Sequence, residues 1–177
     1  MEYRMYGLVP YSLSPIQQGI QFGHAVQEYN NMMYDENVTR LQIDNEAFNK
    51  WRNEDKTFII LNGGTTNNNV EKLGTLNQHA RMLKKLCIRS AEFYEPDLGD
   101  QLTAVVFILS EKVFNDKDYP SFKQFIINEL GEYVVKETKA HGADLEKEFP
   151  KLYKKWTTLV GPLVMEQRQF IKQFRLA

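Results

Sequence analysis

This sequence predicts an α/β fold: a mixed four-stranded sheet with flanking helices and a helical C-terminal extension. Three observations carry that prediction. TFIILNGG, residues 57–64, is a short apolar run stopped by Asn-Gly-Gly, the pattern of a buried strand. LTAVVFILS, residues 102–110, is a second apolar run, far too short to span a membrane. Amphipathic stretches with apolar spacings of three and four separate the strand-like runs. The order strand, helix, strand, helix, strand, strand suits a sheet with parallel and antiparallel pairs.

The elements follow in chain order. YRMYGLVPY reads as the first strand, over 4–9, ending at Pro10. Ser12 or Ser14 can cap the next helix, and Pro15 suits its first turn. That helix spans 15–30, with Ile16, Gly19, Ile20, Gly23, Val26 and Tyr29 as its apolar stripe. Gly19 and Gly23 each cost a helix about 1 kcal/mol against Ala, so close approach to a backbone or ligand is the expected return. Residues 31–44 are mixed and polar and read as a loop. NEAFNKWRNED should be a short helix with Phe48 and Trp51 inward. The second strand covers 57–61, and GGTTNNNVEKLGT is a loop. TLNQHARMLKKLCI is an amphipathic helix, with Thr75 as N-cap and Leu76, Ala80, Leu83 and either Leu86 or Cys87 inward. Strands over 90–94 and 103–109 complete the sheet. Ile16, Ile20, Ile59, Val105 and Phe107 are the expected core. Helices are expected through the last third, with Phe114, Tyr119, Phe122 and Phe125 on the sheet edge and a terminal helix opened by Pro162. One domain, 1–177, with a core over 1–110 and an extension over 111–177, is the simplest organisation.

The chain has 177 residues, is 42% hydrophobic and 25% charged, and carries a net charge of −1. It is expected to be globular. Without a basic excess, wholesale electrostatic binding to nucleic acid is not expected. Lys84, Lys85 and Arg89, or Lys151, Lys154 and Lys155, are local basic groups that also suit solvated helix faces. The one Cys, Cys87, excludes an intrachain disulfide and a Cys-based metal site, and reads as a small buried apolar residue. No signal peptide or membrane-length apolar run is present, so a cytoplasmic protein without membrane contact is expected.

Three polar constellations bear on function. Gln21 and His24 are neighbours on one helix face at a spacing of three, with Gln17, Gln18 and Glu28 extending the stripe. Asn62, Thr65 and Thr66 lie in NGGTTN after a strand. That loop's amides and hydroxyls could meet phosphate or ribose oxygens, although no Lys follows as in a phosphate loop. Glu95 and Asp97 lie in EPDLGD at the end of the third strand, where open α/β sheets present ligand groups. Carboxylates there can accept hydrogen bonds from a base or ribose, or act as a general base. A solvated helix face, a strand-ending loop and a solvated turn are the plain alternatives. Three scattered His residues do not make a metal site, no Ser sits in a GxSxG elbow, and neither a metal nor a cofactor is expected.

The strand, the helix carrying Gln21-x-x-His24-Ala25 and the strand TAVVFI resemble the type-two peptidyl-tRNA hydrolases over about the first 110 residues. That family's helix carries a Lys four residues before the Gln, and this chain has Gln17 there. Gln cannot supply the positive charge beside a phosphate and ester. The family's Asp after the third strand corresponds here to Glu95 or Asp97, separated by Pro96. Across nearly the whole chain, GIQFGHAVQEY, FIILNGGTTN, GTLNQH, FYEPDLGDQLTA and FIKQFRLA are similar to a bacteriophage family of such hydrolase-like proteins. The resemblance implies a peptidyl-tRNA-hydrolase-like fold, although fold alone does not settle function.

It also implies a phage accessory protein, for which the first hypothesis is a non-catalytic protein that sequesters a host signalling nucleotide of cyclic dinucleotide type in the host cytoplasm. Gln17, Gln21, His24, Asn62, Thr65, Thr66, Glu95 and Asp97 would bind the nucleotide. A homo-oligomer formed through Phe170, Ile171 and Phe174 would slow its release. The alternative is a peptidyl-tRNA hydrolase acting through Gln21, His24, Glu95 and Asp97, with tRNA as partner. A third reading is a module that binds a host protein.

Overall fold

A computed structural model describes residues 1–34, 42–140 and 143–177. The chain divides into two compact units, Met1–Glu111 with Lys172–Ala177, and Lys112–Ile171.

The first unit is an open four-stranded mixed sheet with helices against it. Its strands are β1 (Tyr3–Pro10), β2 (Thr57–Gly64), β3 (Ser90–Glu95) and β4 (Gln101–Ser110), in the order β2-β1-β4-β3. β1 pairs parallel with β2 and antiparallel with β4, and β3 pairs antiparallel with β4. Val105 and Phe107 are fully buried, as their apolar run predicts, whereas Ile59 is only half-buried on β2.

Helix α1 (Pro15–Tyr34) starts where expected and runs on past Asn30, but buries a different stripe. Gln21, Phe22, Ala25, Tyr29 and Met33 face inward, while Ile16 and Ile20 are 77% and 51% exposed. Both stripes have helical spacing. They share Tyr29, and the winning one adds Phe22 and Met33, whose burial removes a large apolar area from water. Phe22 lies directly over Gly7, where a Cβ would come within 2.2 Å of its ring. Met5, Val9, Ala91, Ala104 and Val106 complete this core from the sheet, and Phe48 and Trp51 join it as expected.

The residues 35–41 of the expected 31–44 loop lie outside the described residues. Helix α2 (Gln42–Lys50) follows, ending in a wide turn over Trp51–Asp55. Helix α3 (Thr75–Lys85) buries Leu76, Ala80 and Leu83. Leu8 approaches Gly63, which also touches Leu76; with Met5 and Val9 in the α1 core, strand alternation puts α3 on the opposite face from α1. Leu86 is buried, whereas Cys87 is exposed with φ 54°. The helix has already ended there, so the periodicity that would bury Cys87 no longer applies.

The C-terminal residues return to this unit. Leu176 bridges Leu61, the Asn62 amide donates to the Arg175 carbonyl at 2.9 Å, and the Ala177 amide donates to Ile60 at 3.1 Å. His79 meets Phe174 edge-on at 4.8 Å, and burial pushes its pKa down. The unfolded chain then binds the proton more readily than the fold does. This contribution to stability is full above the unfolded value, about 6.5, and lost as pH falls through the lower folded value. Urea midpoints should therefore drop on the acid side, and His79→Gln should flatten that dependence. An identical pH slope in the variant would refute it.

The second unit is helical: α4 (Glu111–Phe114, its first residue in the sheet unit), α5 (Phe122–Leu130), α6 (Glu132–Ala140), α7 (Leu145–Glu148), α8 (Pro150–Leu159) and α9 (Pro162–Lys172). Phe122 and Phe125, expected on the sheet edge, pack with Ile126, Val135, Trp156 and Val160 in a core within the helical unit. Phe170 is buried and not available as an oligomer surface. Among the described residues, no helix is long and apolar enough to cross a membrane.

Candidate functional site

The carboxyl ends of β1, β2 and β3 share one edge of the sheet, because β1 and β3 both run antiparallel to β4. The N-termini of α1 and α3 rise from that edge. Open α/β sheets place ligands there.

On the α1 face, Gln21 is only 8% exposed. Its amide nitrogen donates to Glu95 Oε2 at 2.6 Å, and its carbonyl oxygen accepts from Thr103 Oγ1 at 2.6 Å. A buried amide is stable only with such partners, which is why Gln21 can occupy a core-facing position. Thr103 is fully buried. Phe93 pairs with Ala104 and Tyr94 with Leu102, so Thr103 is the extra residue of a β-bulge. The bulge lets Thr103 and Ala104 both face α1, against strict alternation. Thr103 was not singled out from the sequence; a hydroxyl residue inside the apolar run TAVVFI was its signal.

His24 is exposed and lies flat on Phe93, with ring centres 4.6 Å apart and planes 17° apart. The Asp97 amide donates to Glu95 Oε1 at 3.4 Å. Asp97 thus enters through its backbone. Gln17 forms a reciprocal cap: its Oε1 accepts from the Ser14 amide at 3.0 Å and its own amide donates to Ser14 Oγ at 3.4 Å. Ser14, not Ser12, makes that cap.

The loop after β2 is a separate network on α3. Asn62 Oδ1 accepts from the Gly64 amide at 2.8 Å, and the Thr65 amide donates to Thr75 Oγ1 at 2.8 Å. Thr65 returns the bond, its Oγ1 accepting from the Thr75 amide at 3.2 Å and its carbonyl accepting from the Leu76 amide at 2.9 Å. Gly74 takes the N-cap position expected for Thr75. The Asn67 amide donates to Asn77 Oδ1 at 3.1 Å. The Gly64, Thr65, Asn67, Thr75 and Leu76 amides are therefore engaged within the chain. Thr66 Oγ1 is buried without a hydrogen-bond partner. Asn77 donates to Asn68 Oδ1 at 2.8 Å, and Asn68 donates to the Asp100 carbonyl at 2.5 Å. The 95–100 turn is thus held at one end by Gln21 and at the other by Asn68.

Chemically, the α1 face offers a carboxylate, an amide and a flat imidazole. No cation is bonded to Gln21, Glu95 or Thr103 among the described residues. No described cluster of His, Cys, Asp or Glu could hold a metal ion. No family model and no curated protein matches this chain.

Proposed function

We propose that this chain is a non-catalytic nucleotide-binding protein of peptidyl-tRNA-hydrolase-like fold. It captures a signalling nucleotide of cyclic dinucleotide type and, as a phage protein in the host cytoplasm, blunts nucleotide-based immunity. The His24–Phe93 pair carries the reading. An exposed ring backed by a second ring is a stacking platform for a base. Glu95, beside it, can accept from a base or ribose donor while Gln21 holds it in place. Peptidyl-tRNA hydrolysis is disfavoured because Gln17 is neutral and occupied in the Ser14 cap. A homo-oligomer would add slow release, through a surface other than buried Phe170.

Calorimetry with cyclic dinucleotides and adenine nucleotides tests the proposal. One of them should bind unaltered, and His24→Ala should weaken it by about 1–3 kcal/mol, the usual loss for a stacked base. No binding by any member, or turnover of peptidyl-tRNA at about 1 per second or faster, would replace this reading.

A further inference from the structure

We propose that a second site, on the α3 face of the sheet, binds a nucleoside monophosphate. It goes beyond the reading above and stands whether or not the His24 face takes a ligand. A cleft of about 260 Å³ opens between α3 and the edge of the sheet. Asn77, Ala80, Arg81 and Lys84 line it from α3, at helical spacings that put them on one flank. Glu92 and Tyr94 line it from β3, alternating with Ala91 and Phe93, which pack towards α1. The small Ala80 is what leaves the space.

The lining matches the parts of such a ligand. Arg81 has no ion-pair or hydrogen-bond partner among the described residues and is exposed. Lys84 Nζ lies 2.9 Å from Glu92 Oε1. Two cations against one carboxylate leave the cleft net positive, and a guanidinium fork suits a phosphate. Tyr94 donates to Glu92 Oε2 at 2.6 Å. Burial and that carboxylate push its pKa up to about 12, so the phenol stays neutral. Tyr94 is 43% exposed, and its ring offers a face to a base. Inorganic phosphate alone would use the cations and leave the ring and most of the volume to water. The site also supplies a cation pair, Arg81 and Lys84, that the loop after β2 does not.

Titration with adenosine monophosphate, adenosine and inorganic phosphate, each followed by amide NMR shifts, tests the site. The monophosphate should bind at least about tenfold tighter than either fragment, with shifts centred on residues 77–84. Arg81→Gln combined with Lys84→Gln should weaken it about tenfold or more, and Tyr94→Leu should weaken it several-fold. Lys85→Gln, an equal charge loss off the cleft, should not. These positions are exposed, so an unchanged melting temperature would confirm that each variant folds. Equal affinity for monophosphate and phosphate, unchanged binding in the double variant, or shifts confined to residues 21–25 would overturn the proposal.

Discussion

Arg168→Ala is expected to destabilise the helical unit by about 3 kcal/mol or more, from three backbone carbonyls that lose a charged donor at about 1–3 kcal/mol each. Arg168 is 4% exposed. Its guanidinium donates to three backbone carbonyls, those of Val113 at 3.1 Å, Lys112 at 2.5 Å and Tyr119 at 2.8 Å. Asp116 lies 3.1 Å from Nε and balances the charge. Alanine leaves the three carbonyls without their donor, each worth about 1–3 kcal/mol when buried and unmet. Arg168→Lys should recover only part of the loss, because an ammonium cannot reproduce the planar fork. Urea unfolding monitored through Trp156, which is buried in the same unit, is the measurement. A loss under about 1 kcal/mol would mean that water satisfies those carbonyls equally well.

Arg168 also marks where sequence reading stops. In MEQRQF it reads as one more charged residue on a solvated helix face, because nothing in local spacing reveals carbonyls about fifty residues earlier. The strands were legible for the opposite reason. TFIILNGG and LTAVVFILS encode strand and termination locally, and β2 and β4 lie where those runs fall. The apolar run of β2 does not mean burial: it ends the strand order, buries only Leu61 and Gly63, and leaves Phe58 48% exposed. Helix α1 was legible as a helix but not in its rotation. Two stripes of equal period compete there, and the choice depends on Gly7 opening β1 to the Phe22 ring. A polar residue wins a buried position in the same helix because Glu95 and Thr103 meet Gln21 from distant strands.

The candidate site was half legible for the same physical reason. Gln21, His24 and Glu95 were singled out, and Gln21 and Glu95 bond directly. Asn62 and Thr65 were also singled out; Asn62 bonds within its own strand end and Thr65 serves the seam between the β2 loop and α3. Hydroxyl and amide residues look alike whether they await a ligand or hold a loop. Only the position of Thr75 and Asn77, ten residues on, decides between the two.

Gly74 holds that seam closed, and Gly74→Ala is expected to cost about 3 kcal/mol, the upper part of the usual range for overpacking. Its backbone, φ −60° and ψ 156°, is ordinary for any residue, so the cost is one of contact and not of backbone strain. A Cβ there would lie 2.4 Å from the Thr65 carbonyl oxygen, 2.5 Å from the Asn67 amide nitrogen and 2.6 Å from the Thr66 carbonyl carbon. All three are main-chain atoms, so no side chain can rotate away to relieve them. The loop must move off α3, breaking the Gly74–Asn67 backbone bond of 3.0 Å and loosening the Thr65–Thr75 and Asn67–Asn77 bonds. Asn68 would then release Asp100, and the 95–100 turn would lose that tether. Gly23→Ala is the control, because a Cβ there meets nothing within 4 Å. It should stabilise the chain by about 1 kcal/mol through helix propensity. Thermal unfolding of the two variants therefore should shift in opposite directions. If Gly74→Ala melts with the wild type, the loop is not fixed by its approach to α3, and the separation of the loop network from the α1 site would have to be redrawn.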